Sequence, residues 1–159
     1  MGVSFIAGRA SAPQRGFVLI AMSITMLLLL AVIGMAFDLG RVYIARNEAQ
    51  VFCDAAAMAA ASKIDGTGAG LDRAREVVSR VPMRWNLGTR EFRDVVVEFA
   101  GDANKWEKSP KDAAAVTKAR VTAPANQVEI MFLRAAGGPA SFTVPAHSVA
   151  AANPVRLIE

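Results

Sequence analysis

Two charged side chains follow directly on the longest apolar run of this 159-residue chain. Asp38 and Arg41 are three residues apart, a spacing that places both on one turn of a helix. At the end of an apolar helix, such side chains can keep their charged groups in water. Gly40, between them, leaves room for a neighbouring helix to approach closely. We therefore expect Asp38 and Arg41 to fix the depth of a helix at a membrane surface, and all three residues to contact another helix there.

The residue types that carry most catalytic chemistry are scarce. His147 and Cys53 are the single histidine and cysteine, which excludes a Ser/His or Cys/His dyad within one chain, an internal disulfide and a cysteine zinc site. Glu91, Asp94 and Glu98 could be taken for paired catalytic carboxylates, but they lie among arginines, as is typical of a solvated, ion-paired surface. The GTGAG stretch at 66–70 does not follow a strand and lacks the lysine of a phosphate loop. We expect no enzymatic activity, no cofactor and no metal.

The charge of the chain is modest and mixed. The chain has eighteen Lys and Arg residues and fourteen Asp and Glu residues, which gives a net charge of +4 with the histidine neutral. The basic residues do not cluster, and aromatic residues make up only 7% of the chain. A nucleic-acid-binding surface usually shows a basic patch. We therefore expect no nucleic-acid partner.

Residues 17–37, FVLIAMSITMLLLLAVIGMAF, form an uncharged apolar run. As a helix this run would cross a hydrocarbon core of about 30 Å. A buried helix in a soluble protein would need a larger chain to surround it. A cleaved secretory signal is the main alternative, because Gly34 and Ala36 are small residues at a suitable site, although the apolar part of a signal usually has only about 7 to 15 residues.

The charges beside the apolar run predict its orientation. Arg9 and Arg15 precede the run, whereas residues 38–65 carry three basic and four acidic side chains. The positive-inside rule then places residues 1–16 in the cytoplasm as a short stub and residues 38–159 on the other side of the membrane.

A helical stalk is predicted at 38–62, in continuation of the membrane span. Residues 48–62 lack proline and glycine and are rich in alanine, and the glycine-rich linker at 63–70 would end the helix. Apolar residues recur at spacings of three and four and define a seam, formed by Val42, Ala45, Ala49, Phe52, Ala56 and Ala59. This spacing predicts close packing of the helix. It leaves open whether the partner is the chain's own C-terminal domain or a neighbouring subunit.

Residues 15–62 also contain an ordered set of positions, namely Gly34, Asp38-Leu39-Gly40-Arg41, Tyr43, Arg46, Gln50, Asp54-Ala55-Ala56-Ala57, Ala59 and Ala61. This set resembles the N-terminal region of TadE/TadG-like proteins of the Flp (tight adherence, Tad) pilus apparatus. The resemblance implies a structural or accessory component of pilus assembly or secretion. It also implies that the stalk helix packs against other pilus-assembly proteins or pseudopilins.

The sequence departs from the pattern of type IV pilins. A glycine precedes the processing point in pilins, which makes Gly16 the candidate processing site here. The fifth residue beyond it is Ala21, where pilins carry a glutamate, and this argues against incorporation deep in a fibre. Cys53, in the stalk, could cross-link two copies in an oxidising compartment.

Residues 71–159 are predicted to form a small α+β domain outside the membrane. The expected elements are an amphipathic helix at 71–82 and strands at 94–100, 114–122 and 140–151. Pro124 should end the second strand, and Pro145 should lie at an edge or a bulge of the sheet.

A short helix is predicted at 126–136. Asn126 and Glu129 imitate a capping box, and two glycines at 137 and 138 would stop the helix. A strand at 128–133 is the alternative.

Together these features predict an α+β protein in which a long transmembrane-plus-stalk helix precedes a small, β-containing, pilin-like domain. We interpret it as a membrane-anchored component of Flp/Tad pilus assembly or secretion that contacts lipid and other pilus proteins and can form homo-oligomers. A membrane-tethered binding or adhesion module is one alternative. A secreted soluble protein, released by signal cleavage, is the other.

Overall fold

The structure is a computed structural model that describes residues 15–82, 84–85, 90–92 and 94–152. Most of the predicted cytoplasmic stub lies outside the described residues. The elements in chain order are α1 (Arg15–Ala61), α2 (Gly68–Arg80), β1 (Arg84–Trp85), β2 (Arg90–Glu91), β3 (Val96–Ala100), β4 (Lys118–Glu129), α3 (Phe132–Ala135) and β5 (Ser141–Ala151). The α+β class, with a long N-terminal helix before a small sheet, is confirmed.

Helix α1 runs without interruption through the predicted span and stalk. Its 47 residues correspond to a length of about 70 Å. The hydroxyls of Ser23 and Thr25 donate to the carbonyls of Leu19 and Ala21, each at 2.9 Å, so that neither polar group is left unpaired. Among the described residues, this one helix is long and apolar enough to cross a membrane, and its most apolar window has no buried residue.

The sheet has three antiparallel strands in the order β3-β4-β5. Strand β4 lies in the centre, and alternate residues of it are buried, among them Ala119, Val121 and Ala123. Strands β4 and β5 pack on the stalk half of α1, and α2 packs on the same helix. The core therefore lies between one continuous helix and the sheet.

The seam of α1 packs against the chain's own sheet. Ala45, Ala49, Phe52 and Ala56 are buried in the core, Val42 packs against it, and Ala59 is half-buried. Of the two partners that the sequence left open, the structure places the C-terminal domain on the seam. Small residues occur on both sides of this contact, which allows the helix and the sheet to approach closely.

Pro124 does not end the second strand of the sheet, so this expectation was wrong. Strand β4 continues to Glu129, and its register with β5 shifts between Ala123 and Asn126. Two residues of β4 face the single Pro145 of β5 across this shift, which is the arrangement of a β-bulge. Because the bulge leaves residues unpaired, it accommodates two prolines that cannot donate to the ladder. The position of Pro145 at an edge strand and a bulge is confirmed.

The helix predicted at 126–136 was also wrong over most of its length. Asn126 does not cap a helix, because its side-chain amide donates to the carbonyl of Pro124 at 3.0 Å, and residues 126–129 pair with β5 instead. Only α3 is helical. Cross-strand pairing, which the local sequence does not show, outweighs the local capping signal.

The predicted linker at 63–70 is shorter than expected, because α2 already begins at Gly68. The Thr67 hydroxyl accepts a hydrogen bond from the Gly70 amide at 3.0 Å and so caps the helix. The apolar side of α2 is confirmed, since Leu71, Ala74 and Val78 are buried.

Adjacent alanines of α1 provide a test of this packing. Ala56 is fully buried against the sheet, whereas Ala55 is exposed on the other side of the helix. Ala56→Leu should lower the free energy of unfolding by about 1–3 kcal/mol, because it overfills a close contact. Ala55→Leu should change it by less than about 0.5 kcal/mol. Denaturant unfolding in detergent micelles measures both, and equal midpoints for the two variants would contradict the packing described here.

Candidate functional site: a clasp at the end of the apolar run

Asp38 is the central residue of a contact between α1 and the C-terminal domain. Its side chain accepts three backbone hydrogen bonds, from Met131 to Oδ1 at 3.1 Å and from Phe132 and Leu133 to Oδ2 at 2.8 and 2.7 Å. The residue is only 1% exposed. The expectation that its carboxylate stays in water was therefore wrong, because three amides replace the water.

These amides belong to the first turn of α3, where backbone donors have no partner within the helix. The residue before the helix, Met131, has no side-chain cap hydrogen bond of its own. Asp38 supplies the cap from a position 93 to 95 residues away in the sequence. A negative charge also interacts favourably with the N-terminal end of a helix, and hydrogen bonds to a carboxylate are stronger than neutral ones.

Arg41 reaches the same segment from the next turn of α1. Its Nη1 atom donates to the carbonyl of Glu129 at 3.4 Å and lies 3.4 Å from the sulfur of Met131. The side chain is half-buried. Asp38 and Arg41, predicted to hold a helix at a water interface, are thus brought together on one segment of the chain's own domain.

Gly34 allows an aromatic ring to lie directly on the helix. A Cβ atom added at this position would lie 2.7 Å from both Cβ and Cγ of Phe132, closer than side chains tolerate. The Phe132 ring also meets Phe37 edge-on, with centroids 5.8 Å apart. We call the contact of Gly34, Phe37, Asp38 and Arg41 with residues 129–133 the clasp.

Sequence analysis missed the partner half of the clasp. Residues 129–133 carry no motif, and their backbone groups make the contacts. In the sequence, Gly34 belongs to the TadE/TadG-like resemblance and to the possible cleavage site, and neither indicates a contact with Phe132. The available signal was Asp38 itself, a short carboxylate beside an apolar run with no local partner.

The remaining predicted site residues are elsewhere. Gly40 is exposed, and a Cβ atom there would meet nothing within 4 Å. Gly16 lies in the first turn of α1 and is equally open. The seam residues lie in the core, as described above. The helix contacts and the processing predicted for these positions remain predictions.

Cys53 is fully enclosed in the core. Burial raises the pKa of its thiol, and the nearby carboxylate of Asp54 acts in the same direction. A thiol of this kind reacts slowly. A disulfide between two copies would therefore require the helix and the sheet to separate first.

One family of known proteins matches the N-terminal part of the chain. Residues 16–63 match the family model described as putative Flp pilus-assembly TadE/G-like, and the resemblance inferred from residues 15–62 is confirmed. The matched segment covers α1 and so contains the helix half of the clasp, whereas the sheet and α3 lie outside it. No curated protein and no solved structure matches the chain significantly.

Removal of the Asp38 carboxylate should open the clasp. Asp38→Ala leaves three amides of the α3 turn without partners, and trypsin should then cleave after the exposed Arg134 about tenfold to a hundredfold faster. Asp38→Asn, which retains one acceptor oxygen, should give an intermediate rate. Mass spectrometry of the peptides measures cleavage, with cleavage after Lys63 as the internal control. Unchanged cleavage at Arg134 in Asp38→Ala would show that the carboxylate does not hold the turn.

Two glycines of α1 form a matched pair for the steric part of the clasp. Gly34→Ala should displace Phe132 and speed cleavage at Arg134, because the new methyl group occupies the place of the ring. Gly40→Ala meets open space and should leave this rate unchanged, while it stabilises the helix by about 0.5–1 kcal/mol. If both variants behave alike in the same assay, the close approach of Phe132 to the helix is wrong.

Proposed function

We infer, from the match of residues 16–63 to the TadE/G-like family model, that the chain is a membrane-anchored structural component of Flp/Tad pilus assembly or secretion. In this proposal residues 17–37 cross the inner membrane with the N-terminus in the cytoplasm, and residues 38–159 lie on the other side. The observation that carries the proposal is a coincidence in space. The family segment lies almost entirely in one helix, which contains the apolar run and the helix half of the clasp, so that the anchor and the domain form one unit.

The helix has two faces with different roles. The seam is occupied by the chain's own sheet, so a partner that used the seam would first have to displace the core. The opposite side, which we call the outer face, is exposed along the whole stalk and consists of Ala36, Gly40, Tyr43, Asn47, Val51, Ala55 and Met58. We therefore assign the contact with other pilus components to the outer face rather than to the seam.

The chemistry of the outer face suits a second helix. Val51 and Met58 are 60% and 62% exposed and lie seven residues apart, so that both large apolar side chains are on the same side of the helix. Small residues alternate with these large ones at helical spacing, and Gly40 offers a flat site for close approach. The face also continues the exposed side of the span. A helix that enters from the bilayer beside α1, such as that of another pilus component, would meet one uninterrupted surface.

Signal cleavage fits this arrangement less well. Cleavage after Ala36 would remove Gly34 and the turn of helix on which Phe132 lies, while Asp38 would remain near a new chain end. Phe132 would then lose the surface that it packs against. Retention of the helix preserves both halves of the clasp and supports an anchored protein.

Charge substitutions on the outer face test the proposed contact. Val51→Arg and Met58→Arg, separately and together, should abolish pilus formation in a complemented deletion strain and prevent co-purification of other pilus components. A guanidinium on an apolar helix contact must be desolvated without a partner, which opposes association. The same variants should remain in the membrane fraction with normal tryptic resistance at Arg134.

The matched control is Ser79→Arg, which places the same charge on the exposed surface of α2. This variant should assemble pili normally. Normal piliation in the double variant Val51→Arg/Met58→Arg would contradict an assembly role for the outer face. Normal piliation in the complete deletion strain would contradict the pilus function itself.

A further inference from the structure

We propose that the tip of the domain, formed by Met131 and Phe132 with Phe37 beside them, lies in the boundary between lipid headgroups and acyl chains. The tip would then be a second membrane contact of the domain, beside the helical anchor. The occupant of this apolar surface is a phospholipid bilayer. The inference rests on the proposed function, because it requires that α1 crosses the membrane.

The clasp holds Phe132 against the last turn of the apolar run of α1. Gly34 lies in the last turn of the apolar run, and Phe132 lies directly on it. Since the run 17–37 is just long enough to cross the hydrocarbon core, its last turn lies at the outer edge of that core. Any group held against Gly34 and Phe37 by the clasp must therefore lie at the membrane surface.

The tip of the domain exposes large apolar side chains. Met131 is 60% exposed and Phe132 is 48% exposed, although both are large and apolar. Phe142, which pairs opposite Val128 at the same end of the sheet, is also exposed. Among the described residues after α1, the exposed large apolar side chains are these three and Val149. An apolar patch that touches the end of a span is suited to the bilayer interface, where aromatic rings are favoured.

The charges around the tip agree with this placement. Arg134 is the basic residue in the last turn of α3 and is exposed, so that it can meet lipid phosphates. Glu129, two residues before Met131, is paired with Arg90 at 3.3 Å. The Asp38 carboxylate is covered by three amides. The carboxylates of Glu129 and Asp38 therefore both have partners, and neither presents an unpaired negative charge to the lipid headgroups.

A second membrane contact would restrict rotation and tilt of the domain about the helix axis. A single helix is free to turn in a bilayer, whereas a helix with a side tip in the interface has one preferred orientation. The outer face of α1, opposite the sheet, would then be presented in a constant direction to neighbouring helices. This links the clasp to the assembly contact.

Site-directed spin labelling of the full chain in phospholipid vesicles tests the inference. Nitroxide labels are attached singly at Leu28→Cys, Met131→Cys and Lys63→Cys in a Cys53→Ala background. Accessibility to oxygen, which is enriched in lipid, is compared with accessibility to a water-soluble nickel chelate. Lys63 lies about 35 Å from Asp38 along the helix direction and reports on water.

The expected oxygen-to-nickel ratio at Met131 lies between those of Leu28 and Lys63 and is several-fold higher than at Lys63. It should fall to the Lys63 value when Asp38→Ala opens the clasp. A label at Phe142→Cys, outside the clasp, repeats the measurement without altering the contacts of α3.

Other outcomes separate the inference from the proposed function. A Met131 ratio equal to that of Lys63, with Leu28 in lipid, overturns the inference and leaves the anchor intact. Low accessibility of Met131 to both reagents would indicate a protein partner, such as a second copy, and also overturns it. A Leu28 label in water would overturn the membrane anchor itself.

Discussion

The hydrogen bonds from three consecutive amides to the Asp38 carboxylate are the interaction on which this architecture depends. They join the turn after β4 to the helix at the point where the apolar run ends. Without them, α3 would have no side-chain cap at its N-terminus, and the connection between β4 and β5 would not be held against α1. The carboxylate would also be buried without partners, which is costly. The apolar helix and the domain are therefore coupled at one residue.

Small residues make the rest of this coupling possible. The seam of α1 offers mainly alanine to the sheet, and the sheet offers Ala119, Ala123 and Ala146 in return. Backbones can approach closely on such surfaces, so that a domain of few residues still encloses a core. Because this core uses one side of the stalk, the other side remains exposed. The sequence of α1 thus carries two surfaces with separate roles, one for folding and one for the proposed assembly.

Local signals in the sequence were sufficient for α1. Uniform apolarity predicted the span, and the spacing of alanines predicted a packed seam, because both properties repeat along a helix. The TadE/G-like segment coincides with this helix. What the seam packs against was not predictable from periodicity, since the same pattern serves an internal and an external partner. The structure identifies the internal one.

Contacts between residues far apart in the sequence explain why some predictions from the sequence were wrong. Pro124 signals a strand end to a local reading, yet a bulge opposite Pro145 accommodates it. Asn126 and Glu129 imitate a helix start, yet pairing with β5 prevails. Asp38 appeared to be a water-facing charge because its partners are backbone amides more than ninety residues away. The carboxylate itself is visible in the sequence, but the backbone amides that it binds carry no side-chain signature.

Hydrogen exchange of the unmodified 159-residue chain in lipid bilayers measures whether Asp38 holds the turn of α3 against α1. If the clasp holds, the amides of Met131, Phe132 and Leu133 exchange slowly, with protection comparable to that of the β4 amides, because all three are bonded to a buried carboxylate. If these amides exchange at the rate of an unstructured segment while β4 is protected, Asp38 does not couple the anchor to the domain, and the account fails.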